Sequence, residues 1–312
     1  MSEDTRSTTH EYDRFGPWID EVTTAEDVPR LYRDHPLDLA GARLVLKVPR
    51  NIARRDATPD MDLYDHLLVA DADRLTVLSR QASGPYSVRS VALREVVAVR
   101  DVVSLLDGRL TVHTADGATL SVAYNGSARA NVSRLVDELR TAAAELPSAV
   151  GRALLAAART HAQTPPVDAG PDDVGVTTQY LEAVRQRPGL RPWVWHGRSA
   201  VRPLGSGAAG AVRSLTHAIS PMTLHGAVLA ADELVLEVFG RHEWLVRGSS
   251  PVHSASRLVL PLAAPDGLQV GPHPRYAGAT TVTVTAGASR VELVVPTGSP
   301  AHRLLGVAAT GA

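Results

Sequence analysis

Four groups of residues in this chain are of types that can do chemistry. The first is the basic run KVPRNIARR at residues 47–55, which places Lys47, Arg50, Arg54 and Arg55 close together. Guanidinium forks pair bidentately with phosphate and carboxylate, and each basic residue near an anionic surface contributes about 1 kcal/mol. This run is the candidate anion or lipid head-group site. The plainer reading is a solvated loop neutralised by Asp56, Asp60, Asp62 and Asp65, which follow directly. The second group is GSGAAG at 205–210, a G-x-G-x-x-G pattern. A dinucleotide site needs a long crossover helix after it, and Pro221 comes too soon, so a flexible loop is expected. The third is a set of histidines in the C-terminal half: His196, His217, His225, His242, His253, His273 and His302. None has ligand spacing, and His242-Glu243 lacks the second histidine of H-E-x-x-H, so no metal is expected. The fourth is aromatic: Tyr12, Phe15 and Trp18 in EYDRFGPWID, and Trp193 and Trp195 in RPWVWHG. Alternate strand residues share a face, and large aromatics make good interface anchors. These five are candidate interface residues, with core packing as the alternative.

Composition removes other chemistries. The 312 residues contain no cysteine, which excludes disulfides, thiolate nucleophiles and cysteine-based metal centres. Lys47 is the single lysine, and it follows Leu46, so there is no Walker A motif. The arginine bias resembles that of a high-GC, actinobacterial-type genome. G-x-S-x-G is absent, and Asp172-Asp173 falls in a linker-like stretch, so no catalytic residue and no cofactor are assigned. A formal charge of −1 offers no field for nucleic acid. Residues 1–10 lack the pattern of a signal peptide, and no apolar window reaches the roughly 18 residues of a spanning helix. A cytoplasmic location is expected, with attachment to a membrane surface left open.

The elements that must position these residues are mostly strands. Apolar or β-branched runs recur about every ten residues at 42–48, 66–70, 75–78, 86–93, 96–102, 110–114 and 119–123. Asp116-Gly117 between the last two is a hairpin signal. Helical spacing follows at 131–146, with Val132, Leu135, Val136 and Leu139 on one face, and again at 149–161. Residues 163–175 (QTPPVDAGPDDVG) read as a Pro-rich linker. A short helix at 177–187 precedes further strands at 193–196, 199–202, 228–230, 234–239, 258–262, 280–285 and 290–295. A short helix-like stretch, 300–309, closes the chain.

The two halves resemble each other. HLLVADADRLTVL (66–78) lies on HGAVLAADELVLE (225–237) without a gap, aligning His66 with His225 and Asp73 with Asp232. LTVHTADG (110–117) lies on VTVTAGAS (282–289), and Gly126-Ser127-Ala128 matches Gly298-Ser299-Pro300, each entering a helix. The strand-rich run to residue 125 followed by NVSRLVDELR resembles a pleckstrin-homology-like (PH/GRAM-type) domain. That resemblance covers roughly residues 39–146, and the second copy matches only through the repeat. It implies seven strands and a closing C-terminal helix, and basic residues after the first strand that hold phosphate head groups. No invariant motif defines the family.

The expectation is thus a mainly β (α+β) protein of two PH-like antiparallel β-sandwich or barrel domains, each closed by a C-terminal helix. A tail spans 1–10, the first domain 11–146, a helical then Pro-rich linker 147–176, and the second, diverged domain 177–312. The expected function is non-enzymatic binding or scaffolding, with a protein or peptide partner or an anionic head group, and no nucleic acid. One alternative is an enzyme with a site in the interdomain cleft that uses the C-terminal-half histidines. Another is a structural subunit of a homo-oligomer.

Overall fold

The computed structural model describes residues 11–204, 221–248 and 253–312. The GSGAAG run and His217 lie outside them. The described chain is mainly β, its strand pairings are antiparallel, and no sheet among the described residues closes into a barrel. It divides into two units: residues 11–112 with 119–143, and residues 113–118 with 144–312. No helix among the described residues is long and apolar enough to cross a membrane.

In the first unit β1 (Asp20–Glu21), β2 (Leu44–Pro49), β3 (Tyr64–Ala70), β4 (Arg74–Arg80) and β5 (Tyr86–Ala92) pair in chain order. A second run, β6 (Val96–Ser104), β7 (Asp107–Thr114) and β8 (Thr119–Asn125), also pairs in chain order. The β7–β8 turn is built as its sequence demands. Gly117 has φ +85°, and Asp116 Oδ1 accepts the Ala118 amide at 3.0 Å. Residues along β8 alternate exposed and buried, a sheet with one wet face. Helix α1 (Arg129–Ala142) then buries Val132, Leu135, Val136 and Leu139, the face its spacing specifies.

The second unit opens with helices α2 (Ala149–His161) and α3 (Val174–Gln186). Strands β9 (Arg191–His196), β10 (Ser199–Pro203), β11 (Met222–Leu224), β12 (Ala227–Ala231), β13 (Val235–Gly240), β14 (Leu245–Arg247) and β15 (Ser254–Pro261) follow. β9, β12, β13 and β15 form one antiparallel run, with β9 at its edge. β10 sits between β11 and the two-residue β17 (Tyr276–Ala277), and β14 flanks β11. The last meander is β16 (Gly267–Pro272), β18 (Ala279–Ala286) and β19 (Ser289–Pro296), and helix α4 (Pro300–Thr310) ends the chain.

In each half of the chain three antiparallel strands (β6–β8; β16, β18 and β19) are followed by a helix. Ahead of them the first unit has five strands paired in chain order, whereas the second has the run β9-β12-β13-β15 with β10, β11 and β14 paired apart from it. The repeat segments fall on matching elements. Residues 66–78 make the β3–β4 hairpin and 225–237 the β12–β13 hairpin. Residues 110–117 belong to β7 and its turn, and 282–289 to β18 and its turn.

Residues 147–176, expected as a linker, are part of the second unit. Ser148 caps α2 through Gly151 N (3.1 Å) and donates its own amide to Leu262 O (3.0 Å). Gly151 lets the helix lie on this strand end, since a Cβ there would stand 2.1 Å from Leu262 O. Pro and Gly punctuate the stretch, but the backbone between them is anchored. Gln163 N donates to Trp193 O at 2.7 Å, and Gln163 Oε1 accepts from Trp195 N at 2.6 Å.

Candidate functional site

The basic run does not converge on a ligand position. Lys47 is buried. Its Nζ donates to Asp27 O at 3.2 Å and lies 5.3 Å from the Tyr64 ring centre. Both faces of β2 are covered, so the strand carries no alternation that would reveal which way Lys47 points. Arg50 donates to Asp62 O at 3.2 Å. Arg54 donates to Tyr12 O and to Phe15 O, the latter at 2.7 Å, with its guanidinium 4.3 Å from the Tyr12 ring centre. Only Arg55 projects freely, 3.8 Å from Asp56. Two candidate groups thus meet, because Arg54 holds down the aromatic N-terminal segment.

That segment is mostly core. Phe15 is buried edge-on to Tyr64, with ring centres 6.3 Å apart, and Tyr12 packs beside it. Trp18 alone is left outside, 57% exposed. Trp193 and Trp195 do not share surroundings. The β9–β12 register shifts at Leu229/Ala230, which leaves Trp193 as the extra residue of a bulge. Trp195 packs with the cluster of Val176, Tyr180 and Phe239, whereas Trp193 lines a cleft together with Leu155 and Ala158 of α2.

The polar interior of the second unit was not legible in the sequence. Asp173, fully buried, accepts Gly226 N (2.8 Å), Arg241 Nε (2.9 Å) and Arg198 Nε (3.2 Å). Both guanidiniums also reach Asp172 O. Burial pushes the Asp173 carboxyl up, but these donors outweigh it and hold it below the usual carboxylate range. Glu237, equally buried, accepts Arg257 Nε at 2.7 Å and Arg187 Nη2 at 3.2 Å. These are clamps between elements, with their acceptor oxygens turned onto arginine.

Beside the Asp173 clamp stand His196 and His225. Both are buried, and neither ring nitrogen of His225 is hydrogen-bonded among the described residues. Burial holds each down to about 4, against the opposing pull of Asp173. The repeat-equivalent His66 instead faces Ser79 Oγ at 2.8 Å. Of the other histidines, His242 Nδ1 lies 3.0 Å from Ser254 Oγ, His273 Nδ1 accepts Arg275 N, His302 Nδ1 accepts Gly298 N, and His253 is exposed. Among the described residues no three His, Asp or Glu side chains are grouped to hold a metal.

A cleft of about 710 Å³ opens in the second unit between α2, the start of β9 and the β12–β13 turn. Its walls include Leu155, Trp193 and Leu234, and its polar members are Arg159, Arg191, Asp232 and Glu233. Asp232 Oδ1 is taken by the amides of Leu234 (2.9 Å) and Val235 (2.8 Å). The guanidiniums of Arg159 and Arg191 make no hydrogen bond or ion pair with any described residue. The matching turn of the first unit borders a smaller cleft of about 370 Å³ edged by Asp38, Asp71 and Asp73. There burial, then the charges of Asp73 and Asp38, push the Asp71 carboxyl up. The two clefts thus differ in the charges that edge them.

Sequence reasoning missed this cleft because its two arginines stand 32 positions apart on a helix and a strand. Set against protein-family models, curated proteins and solved structures, the chain finds no match in any of the three.

Proposed function

We propose that this chain is a non-catalytic binding protein made of two PH-like units derived by duplication, acting in the cytoplasm on a protein or peptide partner. The observation that carries the reading is that in each half of the chain a repeated hairpin is followed by three antiparallel strands and then a helix. Such small sandwiches serve mainly as scaffolds for ligand sites on their surface, and the chemistry of the site decides the function. The interior charges support binding over catalysis. Asp173 and Glu237 are committed to arginine clamps, and His196 and His225 are enclosed. The anionic head group is the weaker ligand, since Lys47, Arg50 and Arg54 are spent on the protein itself.

The test is a peptide array probed with the full chain, run beside co-sedimentation with phosphatidylcholine vesicles with and without phosphatidylserine. Saturable binding to a subset of peptides, with no cleavage or modification of them, is expected. Binding to no peptide, or turnover of those bound, overturns the reading. Vesicle binding lost in Arg55→Ala would return the head group to first place.

A further inference from the structure

We propose that the cleft beside Trp193 is a receptor for a single carboxylate carried on an apolar body. This deepens the binding reading above and rests on it. The volume, about 710 Å³, is that of a small-ligand site, which is typically apolar with a few placed polar groups. Trp193, Leu155 and Leu234 supply the apolar wall. Trp193 is itself buried, so its ring is already fixed in position. Arg159 on α2 and Arg191 at the start of β9 are exposed and lack any carboxylate partner among the described residues. Guanidinium forks match a carboxylate or phosphate, and two of them on one cleft are a charge pattern awaiting an anion.

The acids sharpen the choice. Asp232 is held by its own turn, while Glu233 stands exposed at the rim. A fixed negative charge there penalises a dianionic phosphate more than a monoanionic carboxylate. The ligand class is therefore a monocarboxylate with an apolar neighbour. Its sources are the free C-terminal end of a peptide with an apolar last residue, or a fatty acid.

Calorimetry on the full chain separates these. The probes are an acetylated hexapeptide ending in leucine with a free carboxylate, the same peptide as its amide, and decanoate. Binding of the acid peptide or of decanoate is expected, and whichever binds names the source. Arg159→Gln and Arg191→Gln should each weaken it about tenfold, the loss of one charged hydrogen bond. Glu233→Gln should tighten it by roughly threefold, the release of one rim repulsion. All three side chains are exposed, so the variants retain the fold. Equal binding of acid and amide, or affinity unchanged in both arginine variants, overturns the inference. If neither probe binds while the array still yields binders, the cleft fails and the binding reading stands. If the array is empty too, the binding reading itself has failed.

Discussion

Acidification should loosen the second unit well before its carboxylates protonate, and His196 and His225 set the size of the effect. Both are neutral in the folded chain, with values held down to about 4 from an ordinary 6.5. Because the folded values lie below the unfolded ones, the unfolded chain takes up protons first as pH falls. The stability tied to the neutral rings is complete above pH 6.5 and is lost progressively down to about 4. At roughly 1.4 kcal/mol per pH unit, moving to about pH 5 costs about 2 kcal/mol for each ring and about 4 kcal/mol for both. Asp173 does not confuse the window. Its carboxyl lies below 3.8 in the folded state, so its contribution is retained until the pH falls lower still. The assay is urea unfolding followed by tryptophan fluorescence in a Trp18→Phe background, which leaves Trp193, Trp195 and Trp244 of the second unit as reporters. His225→Phe removes two buried nitrogens that have no hydrogen-bond partner among the described residues, so it should cost little at about pH 7.5 and halve the pH dependence. A stability flat between the two pH values, or a slope unchanged in His225→Phe, would refute the reasoning.

Three other perturbations have clear expected outcomes. Asp173→Ala leaves Arg198 and Arg241 inside without a counter-charge and should destabilise by about 3–5 kcal/mol in urea unfolding. Gly151→Ala drives a methyl into the Leu262 carbonyl, a backbone atom that cannot swing away. A loss of about 2 kcal/mol or more is expected, against almost none for the exposed Arg152→Ala. Leu105, 71% exposed with φ +54°, occupies left-handed backbone for no burial, so Leu105→Gly should raise the melting temperature by the equivalent of about 0.5–1 kcal/mol.

Local signals read well from the sequence. The Asp116-Gly117 turn, the α1 face of Val132, Leu135, Val136 and Leu139, and the span of α2 all depend on neighbours a few residues away, and these are what spacing encodes. Each block of the sequence repeat is local in the same way, a hairpin or a turn entering a helix. What failed depended on distant partners. Asp172 and Asp173 sit among Pro and Gly and look like linker residues. Asp173 is buried because Arg198 and Arg241 arrive from elsewhere in the chain. Lys47 looked like a ligand-binding cation. Its fate was decided by Asp27 and Tyr64, on an earlier loop and the neighbouring strand. The two tryptophans of β9 were expected on one face, and a single bulge, set by pairing with β12, separated them.

Hydrogen exchange of the full chain with and without whichever of the carboxylate-ended peptide and decanoate binds would bear most directly on where this protein holds its ligand. The cleft account requires added protection at residues 155–162, 189–193 and 231–234, with the amides of 47–55 unaltered. Protection confined to 47–55, or none in any of these segments at a saturating concentration of the probe that binds, would contradict it.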